Sequence, residues 1–254
     1  MASHELTAAI KAARAAGELL RGLYGANLAV RVKPDASPVT EADERAEALI
    51  RDLLQRQFPA YGFYGEETGT HRMGAESIWL VDPLDGTKSF VRDTPFFSTQ
   101  IALMRAGELV LGVSSAPAYG ELAWAEAGGG AFLDGELIHV SRVSELAAAF
   151  VSTGNLRSLA AGSGWARLGQ LVGATARIRG YGDFVHYHLL ARGAVDVVIE
   201  SDVNILDIAA LSVLVREAGG ICTDLDGAPV GLKTSSVLAA NDVLHTLVLE
   251  AFRR

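Results

Sequence analysis

The fold of this chain is decided by the stretch Ile78-Trp79-Leu80-Val81-Asp82-Pro83-Leu84-Asp85-Gly86-Thr87-Lys88. Its first four residues are bulky and apolar, which predicts a short buried strand. Two carboxylates three residues apart, Asp82 and Asp85, follow on a turn that contains a proline and a glycine. Mg²⁺ takes carboxylate oxygens as ligands, and the backbone N–H groups of a turn can hold an anion. The stretch therefore predicts a site for a hard cation and a phosphate, although an ordinary Asx turn explains the same residues.

Composition and charge narrow the class of protein. The chain has 254 residues, half of them hydrophobic, and a net charge of -8 with no basic run, which argues against nonspecific nucleic-acid binding. Cys222 is the only cysteine, so an internal disulfide and a cysteine-based zinc site are both excluded. We expect Cys222 to be a small buried hydrophobe. The N-terminal segment lacks the apolar core of a signal peptide and no run reaches membrane-spanning length, so we expect a cytoplasmic protein without a membrane partner.

The first half, residues 1–143, predicts two helices and a largely antiparallel sheet. Apolar residues recur at helical spacing from Leu6 to Leu20, and a second helix begins after Thr40. A short strand from Leu28 to Val32 and a polar loop around Pro34 and Ser37 separate the two helices. The strands are expected in four apolar runs and a hairpin at Asp134-Gly135, the runs being Ile78 to Val81, Ser98 to Met104, Glu108 to Ser115 and Glu121 to Ala125.

The second half, residues 144–254, alternates strands with helices, which is typical of a smaller α/β lobe. Its expected helices cover Gly162 to Val172, Asp183 to Arg192, Asp207 to Ala218 and Asp242 to Phe252. The first of its expected strands is Ala147 to Ser152. No proline-rich or serine-rich linker marks the boundary near Ser141 to Glu145. We therefore expect two lobes that form one catalytic unit and share one site.

Several polar residues outside the central stretch allow two interpretations. Thr40 and Asp43 have the spacing of a capping-box variant, in which both side chains satisfy free amides at a helix start. Glu66 and Glu67 are adjacent on a loop, which usually indicates a solvated turn. His186 and His188 are two residues apart on a predicted helix, so they face different directions and we expect structural or surface roles. The residues alone leave these alternatives open.

Four separated motifs nevertheless occur together in one order. They are Val39-Thr40-Glu41-Ala42-Asp43, Gly65-Glu66-Glu67, Asp82-Pro83-Leu84-Asp85-Gly86-Thr87, and Leu206-Asp207-Ile208-Ala209-Ala210 with Glu217-Ala218-Gly219-Gly220. In order and approximate spacing, this set resembles the inositol monophosphatase-like superfamily across nearly the whole chain. The resemblance implies an α+β / α/β fold, a layered αβαβα sandwich of the sugar-phosphatase type. It also favours a functional role over the capping role for Asp43 and over the plain turn for Glu66.

The resemblance implies a ligand set for two Mg²⁺ ions, with a weaker third site. Glu66, Asp82 and the Leu84 carbonyl would bind the first ion. Asp82, Asp85 and Asp207 would bind the second, and Asp43 would contribute to the third. The resemblance further implies that Asp85, Gly86 and Thr87 hold the phosphate and that Glu67 supports the ligands from behind. Leu206 departs from the family, which usually carries tryptophan at this position.

The chemistry of a phosphate monoester is consistent with such a site. Hydrolysis expels a poor alkoxide leaving group, and two metal ions about 3.5–4 Å apart can neutralise charge on both the attacking and the leaving oxygen. The resemblance assigns catalytic roles to Thr87, Glu66 and Asp43, with the Thr87 hydroxyl held against Asp43 to orient the attacking water. In-line attack by water requires no cysteine or histidine nucleophile.

Two further segments indicate a substrate. Lys88 to Arg92 with Pro95, and Arg179 to Phe184, resemble the histidinol-phosphate phosphatase branch of the superfamily, which implies L-histidinol phosphate. Asp183 and Glu200 would bind the cationic half of that ester, because two carboxylates pair with an ammonium or imidazolium more strongly in a partly dehydrated site than in water. The alternative for Asp183 is a helix cap.

Other functions remain open at this point. Within the class, they are phosphatases of inositol 1-phosphate, fructose 1,6-bisphosphate or 3′-phosphoadenosine 5′-phosphate. A different class would be a non-catalytic regulator that binds metal or phosphate, although the Thr87 hydroxyl would have little use there. The resemblance also implies a homodimer.

Overall fold

A computed structural model describes residues 2–26, 28–33 and 38–253 of the chain. In the described part of the first half, the elements are α1 (His4–Leu23), β1 (Arg31–Val32), β2 (Pro38–Val39), α2 (Glu41–Gln57), β3 (Gly62–Gly65), β4 (Gly69–His71), β5 (Ser77–Asp85), α3 (Thr87–Phe90), β6 (Ser98–Arg105), β7 (Glu108–Ala116), β8 (Glu121–Glu126), β9 (Gly130–Leu133) and β10 (Glu136–Ile138). In the second half they are a 3₁₀ turn (Leu146–Ala148), β11 (Phe150–Thr153), α4 (Arg157–Ala161), α5 (Gly164–Ala174), β12 (Arg177–Gly180), α6 (Asp183–Ala191), β13 (Val197–Ser201), α7 (Ile205–Glu217), β14 (Ile221–Thr223), β15 (Ser236–Ala240) and α8 (Asp242–Arg253).

The large sheet has eight strands in the order β10-β9-β8-β7-β6-β5-β3-β4. Each neighbouring pair is antiparallel except β3 and β5, which run parallel. The predicted antiparallel sheet is therefore confirmed. Every residue of β5 is buried, because this strand lies inside the sheet and both sheet faces are covered.

The layers follow the αβαβα order that the resemblance implied. The apolar faces of α1 and α2 cover one side of the large sheet, and their alanines (Ala9, Ala12 and Ala46 among them) let both helices approach it closely. Helices α6 and α7 fill the layer between the large sheet and a five-stranded mixed sheet of order β12-β11-β13-β15-β14. Helices α5 and α8 cover the outer side of this second sheet. The fold class is thus confirmed.

Helix α7 packs unusually close to the large sheet. A Cβ on Gly112 of β7 would lie 2.3 Å from the Ala210 carbonyl oxygen of α7, which is far inside van der Waals contact. Only glycine leaves room for the helix backbone at this crossing. Gly112 therefore sets the distance between the helix that carries Asp207 and the sheet that carries Asp82 and Asp85.

Some predicted boundaries were wrong. The strand expected from Ala147 begins only at Phe150, where parallel pairing with Arg177 begins, and a 3₁₀ turn precedes it. The helix expected from Gly162 is interrupted, because Gly162 has an extended backbone that ends α4 before α5 begins at Gly164. The strand expected from Leu28 is limited to Arg31–Val32, and the loop around Pro34 and Ser37 lies outside the described residues. The division into two lobes at residues 143 and 144 stays a prediction.

Candidate active site

The end of β5 carries two of the predicted ligands on a bulge. Asp82 pairs with Gln100 of β6 and Asp85 with Ser98, so β5 advances three residues where β6 advances two. Because side chains alternate along a strand, this extra residue returns both carboxylates to the same face of the sheet. Pro83 lies within the bulge, where its missing N–H costs no ladder hydrogen bond. The bulge explains how two aspartates three residues apart reach one site.

Asp207 reaches the same place from the first turn of α7. Asn204 is the N-cap of this helix: its side chain accepts from the Leu206 N–H at 2.7 Å, and its own N–H donates to Asp207 Oδ2 at 3.0 Å. This capping box fixes the Asp207 carboxylate. Carboxylate oxygens of Asp82, Asp85 and Asp207 lie within 4.8 Å of one another. The structure therefore brings these three predicted ligands together. Leu206, in place of the family's tryptophan, is buried and leaves the capping box intact.

Burial and mutual repulsion raise the pKa of each of these carboxyls. For Asp82, burial followed by the charge of Glu66 raises the pKa well above its ordinary value, and for Asp85 the causes are burial and then the charge of Asp183. Burial, opposed by the hydrogen bonds of the capping box, raises the pKa of Asp207 to about 7. The three clustered carboxylates are all acidic, so none of them can compensate the negative charge of the others. Their all-oxygen donor set fits a hard divalent cation such as Mg²⁺.

Thr87, at the start of α3, connects the central stretch to α2. Its hydroxyl lies 2.8 Å from Asp43 Oδ1 and 3.0 Å from the Leu84 carbonyl oxygen, two acceptors that share its one hydrogen. The other oxygen of Asp43 accepts from the N–H and the hydroxyl of Thr40, each at 2.7 Å. The capping box at Thr40 and Asp43 is therefore formed, and the expectation that a functional role would replace it was wrong. One carboxylate performs the cap with one oxygen and contacts Thr87 with the other.

Gly86 turns the chain from β5 into α3. Its φ of 87° lies in the left-handed region that favours glycine, and a Cβ there would lie 2.3 Å from the Phe96 carbonyl oxygen. Glycine at this position therefore permits a close approach between Gly86 and the backbone of Phe96. Its predicted contact with phosphate stays a prediction.

Lys33 binds two of the predicted residues, Glu66 and Glu67, although no sequence pattern selected it. Its ammonium lies 2.9 Å from Glu66 Oε1 and 2.7 Å from Glu67 Oε1. Despite partial burial, which acts the other way, hydrogen bonds with these two carboxylates raise the pKa of Lys33. Behind them, the fully buried Glu47 accepts from the backbone N–H groups of Glu67 and Thr68. The Glu67 side chain therefore contacts Lys33, and the Glu67 backbone N–H contacts Glu47; neither contact reaches the carboxylate cluster directly.

Glu200 and Asp183 both face the site from the second half of the chain. The Glu200 carboxylate is buried and accepts three hydrogen bonds, from Asn155 N–H at 3.0 Å, His186 Nε2 at 3.1 Å and the Tyr187 hydroxyl at 3.2 Å. Asp183 is the first residue of α6, with a φ of 46°. Its alternative role as a helix cap was wrong, because the N-cap position is occupied by the glycine before it. Burial, followed by the charge of Glu200, raises the pKa of Asp183 to about 6.

His186 and His188 are both buried, so the expectation that they could be surface residues was wrong, while the structural expectation and their different orientations are confirmed. The two rings contact different partners: His188 binds Glu121 at 3.0 Å and Ser114 at 2.9 Å. Cys222 is buried as expected, and burial raises the pKa of its thiol to about 12, which excludes a thiolate nucleophile near neutral pH.

One cavity of about 120 Å³ joins these groups. Its lining includes the predicted residues Glu66, Asp82, Leu84, Asp85, Gly86, Thr87, Asp183, Glu200 and Asp207. Asp43 and Glu67 are absent from the lining; Asp43 acts on the cavity through Thr87. Asn155 and Tyr187 also line it, and neither carried a sequence pattern that would have selected it. The cavity thus places an acidic cation site beside a second acidic pair.

This fold and acidic site define a known class. The model of the inositol monophosphatase family matches residues 1–254. The chain belongs to the inositol monophosphatase family, and it is a phosphatase, as are the proteins of that family to which it is similar.

Individual relatives carry two different names. A histidinol-phosphatase of Mycobacterium tuberculosis is 43% identical over 261 residues, covering 98% of this chain and 98% of the relative. An inositol-1-monophosphatase of Rhizobium meliloti is 36% identical, covering 98% of this chain and 96% of the relative. Among solved structures, the extragenic suppressor protein suhB of Bartonella henselae superimposes with a TM-score of 0.92 at 32% identity, covering 99% of each chain. Within residues 2–26, 28–33 and 38–253, no helix has the length and apolar character needed to cross a membrane.

Proposed function

We propose that this phosphatase is Mg²⁺-dependent and hydrolyses L-histidinol phosphate to L-histidinol and phosphate, a step of histidine biosynthesis. The observation that carries the proposal is the shared cavity: the carboxylate cluster Asp82, Asp85 and Asp207 lies beside Asp183 and Glu200. The first group suits metal ions and phosphate, and the second suits a cationic alcohol. The names of the more similar relatives support the same substrate.

Asp82, Asp85 and Asp207 would hold the metal, with Glu66 and the Leu84 carbonyl as further ligands. The raised pKa values of the three aspartates support this assignment, since a cation would stabilise their ionised forms. Bound there, Mg²⁺ would supply charge neutralisation on the phosphate oxygens and acidify water. Two ions fit the proposed ligand set, and Asp43 would contribute to a weaker third site.

The chain's own residues would orient the reaction. The single hydrogen of the Thr87 hydroxyl is shared between Asp43 and the Leu84 carbonyl, which leaves the oxygen lone pairs to accept a hydrogen bond from the attacking water. Glu66, on the same cavity wall, would accept the second hydrogen of that water. Backbone amides at Gly86 and Thr87, with Asp85 beside them, would position the phosphate. The phosphorus–oxygen bond to the alcohol would break in line with the attack.

Recognition of the alcohol would depend on Asp183 and Glu200. L-Histidinol phosphate carries an ammonium and an imidazole, and both carboxylates line the half of the cavity that belongs to the second sheet and α6. A neutral polyol would need hydroxyl-binding groups instead. The charge of a bound ammonium would also lower the raised pKa of Asp183, so binding and ionisation support each other.

The proposal is tested by measuring phosphate release, with Mg²⁺ and with EDTA, from four esters side by side. They are L-histidinol phosphate, inositol 1-phosphate, fructose 1,6-bisphosphate and 3′-phosphoadenosine 5′-phosphate. We expect kcat/KM for L-histidinol phosphate to exceed the others by about tenfold or more, the loss expected when a buried charge lacks its partner. Activity on none of them, with Mg²⁺ present, would favour a non-catalytic regulator.

Inositol 1-phosphate is the second candidate substrate, because several relatives at 34–36% identity are named inositol-1-monophosphatases. Asp183→Asn separates the two candidates. It should raise KM for L-histidinol phosphate and leave the thermal stabilisation by Mg²⁺ intact. An unchanged KM would remove the argument for a cationic alcohol.

We also propose that the enzyme is a cytoplasmic homodimer, on the basis of its family membership. Sedimentation equilibrium would test this assembly directly. A single species at the monomer mass of 26.8 kDa would contradict it.

A further inference from the structure

A chain of hydrogen bonds runs beneath the cavity, between the loop that precedes α6 and Glu200. The Tyr181 N–H donates to Ser152 Oγ at 3.4 Å, and Ser152 Oγ lies 3.3 Å from His186 Nδ1. On the other side of the ring, His186 Nε2 lies 3.1 Å from Glu200 Oε2. Ser152 and His186 are both fully buried. This series of hydrogen bonds therefore connects a backbone amide two residues before Asp183 with the carboxylate of Glu200.

The partners of His186 define which nitrogen carries a hydrogen. A carboxylate offers only acceptors, so Nε2 must donate to Glu200. In the neutral ring Nδ1 then accepts, and the Ser152 hydroxyl is the donor that faces it while its oxygen accepts from Tyr181. Every polar atom in this series of hydrogen bonds has a partner, which makes the arrangement rigid.

The Glu200 carboxylate is confined on its Oε1 side by the backbone of Gly154 and Asn155. A Cβ on Gly154 would lie 2.0 Å from Glu200 Oε1, so the carboxylate is packed directly against the glycine backbone. The adjacent Asn155 N–H donates to the same oxygen. The remaining direction is the cavity, which Glu200 lines. Two side chains of α6, His186 and Tyr187, contact the other oxygen, Oε2, so removing the His186 donor would leave that oxygen with the Tyr187 hydroxyl alone.

We propose that His186 is a positioning residue for substrate specificity: it holds the Glu200 carboxylate and, through Ser152, the loop that leads to Asp183, so that both acids face the organic half of the phosphate ester. This inference rests on the proposed function. The hydrogen-bond partners of His186 are Ser152 and Glu200 and include none of the proposed metal ligands, so we expect it to act on the choice of alcohol and to leave the phosphoryl chemistry unchanged.

His188 supplies a matched control. It is a buried histidine on the same helix, also hydrogen-bonded through both ring nitrogens, but its partners Glu121 and Ser114 lie in the large sheet and outside the cavity lining. Replacing either histidine by methionine removes two hydrogen bonds and conserves most of the volume. A merely structural role would give both variants the same kinetic behaviour.

The test compares kcat and KM for L-histidinol phosphate, the ester of a cationic alcohol (the cationic ester), with those for glycerol 2-phosphate, the ester of a neutral alcohol (the neutral ester), in the Mg²⁺-loaded enzyme. We expect His186→Met to lower the ratio of the two kcat/KM values about tenfold, through KM for the cationic ester, because a hydrogen bond to a charged group is lost. His186→Gln, whose amide can donate toward Glu200, should recover the ratio to within about threefold. His188→Met should lower Tm and leave the ratio unchanged.

An unchanged ratio in a folded His186→Met variant would overturn the inference, as would an equal loss on both esters. If that variant fails to fold, Ser152→Ala decides, since it interrupts the chain without a large cavity. It should lower the ratio about threefold, and a wild-type ratio would overturn the inference. A wild-type enzyme that prefers the neutral ester would instead overturn the proposed substrate, and with it the inference.

Discussion

The single residues of the site are arranged so that each carboxylate has a distinct partner. Asp43 binds Thr87 and the helix start, Glu66 binds Lys33, and Glu200 binds a histidine and a tyrosine. Asp82 and Asp85 have mainly neutral donors: the Leu84 N–H for Asp82 and the Ser98 hydroxyl for Asp85. A metal ion would therefore supply positive charge beside Asp82 and Asp85, which their own donors do not provide.

Thr87 permits the sharpest test of the proposed chemistry. Thr87→Val keeps the shape of the side chain but removes the hydroxyl that lies 2.8 Å from Asp43 Oδ1. We expect kcat to fall about a hundredfold, because the attacking water loses the group that orients it. Thr87→Ser should stay within about threefold of wild type for the same reason. Steady-state kinetics at saturating Mg²⁺ measures both, and a Thr87→Val variant with wild-type kcat would contradict the role.

Removal of the metal should make stability depend on pH. The pKa of Asp207 is about 7 in the fold against 3.8 ordinarily, so between these values the folded, metal-free chain binds more protons than the unfolded chain. Stability then falls as pH rises through this window. We expect the Tm of EDTA-treated protein to fall between about pH 5 and about pH 8, and Mg²⁺ to raise Tm more at the higher pH, where the ligands are ionised.

Asp207→Asn provides the control for that titration. It removes one ionisable group but keeps an oxygen for the capping box, so the pH dependence of Tm in EDTA should become flatter and the gain from Mg²⁺ should shrink. Thermal denaturation followed by circular dichroism measures both quantities. An equal Mg²⁺ effect at both pH values in the wild type would show that the cluster is not the metal site.

At the scale of elements, two helix starts deliver site residues through the same device. In α2 the box is Thr40 with Asp43, and in α7 it is Asn204 with Asp207. In each case the acid at the third helical position accepts the N–H of the cap residue, so helix formation itself aims the carboxylate. Local structure and the proposed catalysis would therefore depend on the same side chains.

At α2, the capping role of Asp43 can be separated experimentally from its proposed catalytic role. Thr40→Ala removes the cap hydroxyl and should cost about 1 kcal/mol of unfolding free energy while kcat is retained, because the contact between Asp43 and Thr87 remains. Asp43→Asn should cost a comparable amount and also lower kcat at least about tenfold. Urea denaturation and steady-state kinetics measure the two effects. Loss of kcat in Thr40→Ala equal to that in Asp43→Asn would contradict this separation.

The element patterns also show how far the sequence could be interpreted. Apolar periodicity and turn residues predicted the strands around Asp82 and the order of helices and strands in the second half. The proposed metal ligands could be recognised only from the order of the four motifs. Taken alone, Asp43 and Asp207 also fit the pattern of helix caps, and both do form capping boxes. Lys33, Asn155 and Ser152 could not be predicted: each is a common polar residue that gains its role only from contacts across more than 30 residues of sequence. The bulge at Pro83 depends on pairing with β6, which local sequence does not encode.

On the scale of the whole molecule, the site depends on one close crossing. The three clustered aspartates come from β5 and from α7, and α7 is held against the large sheet where Gly112 meets Ala210. An added Cβ at residue 112 would press on helix backbone, which cannot rotate away as a side chain can. The position of Asp207 relative to Asp82 is therefore a property of the packing between the two halves.

Gly112→Ala tests this dependence. We expect a loss of about 1–3 kcal/mol in unfolding free energy from overpacking, together with a smaller stabilisation by Mg²⁺ because the ligands separate. Gly169→Ala is the matched control: its Cβ meets nothing within 4 Å in α5, so it should gain up to about 1 kcal/mol in stability. Chemical denaturation with and without Mg²⁺ measures both variants. Equal stability of Gly112→Ala and wild type would contradict the crossing as the determinant.

The position of α7 in the chain also has a consequence for protein synthesis. All strands of the large sheet leave the ribosome before Ile205, the first residue of α7. Until then the sheet face that contains Ile78, Leu80 and Met104 lacks its cover, because these side chains pack in the same core as α7. The nascent chain is therefore expected to display an apolar surface while its second half is being translated, and exposed apolar surface of this kind is what chaperones bind. The proposed metal site, which includes Asp207, would be completed only after that residue has been made, so we expect no activity from shorter nascent chains.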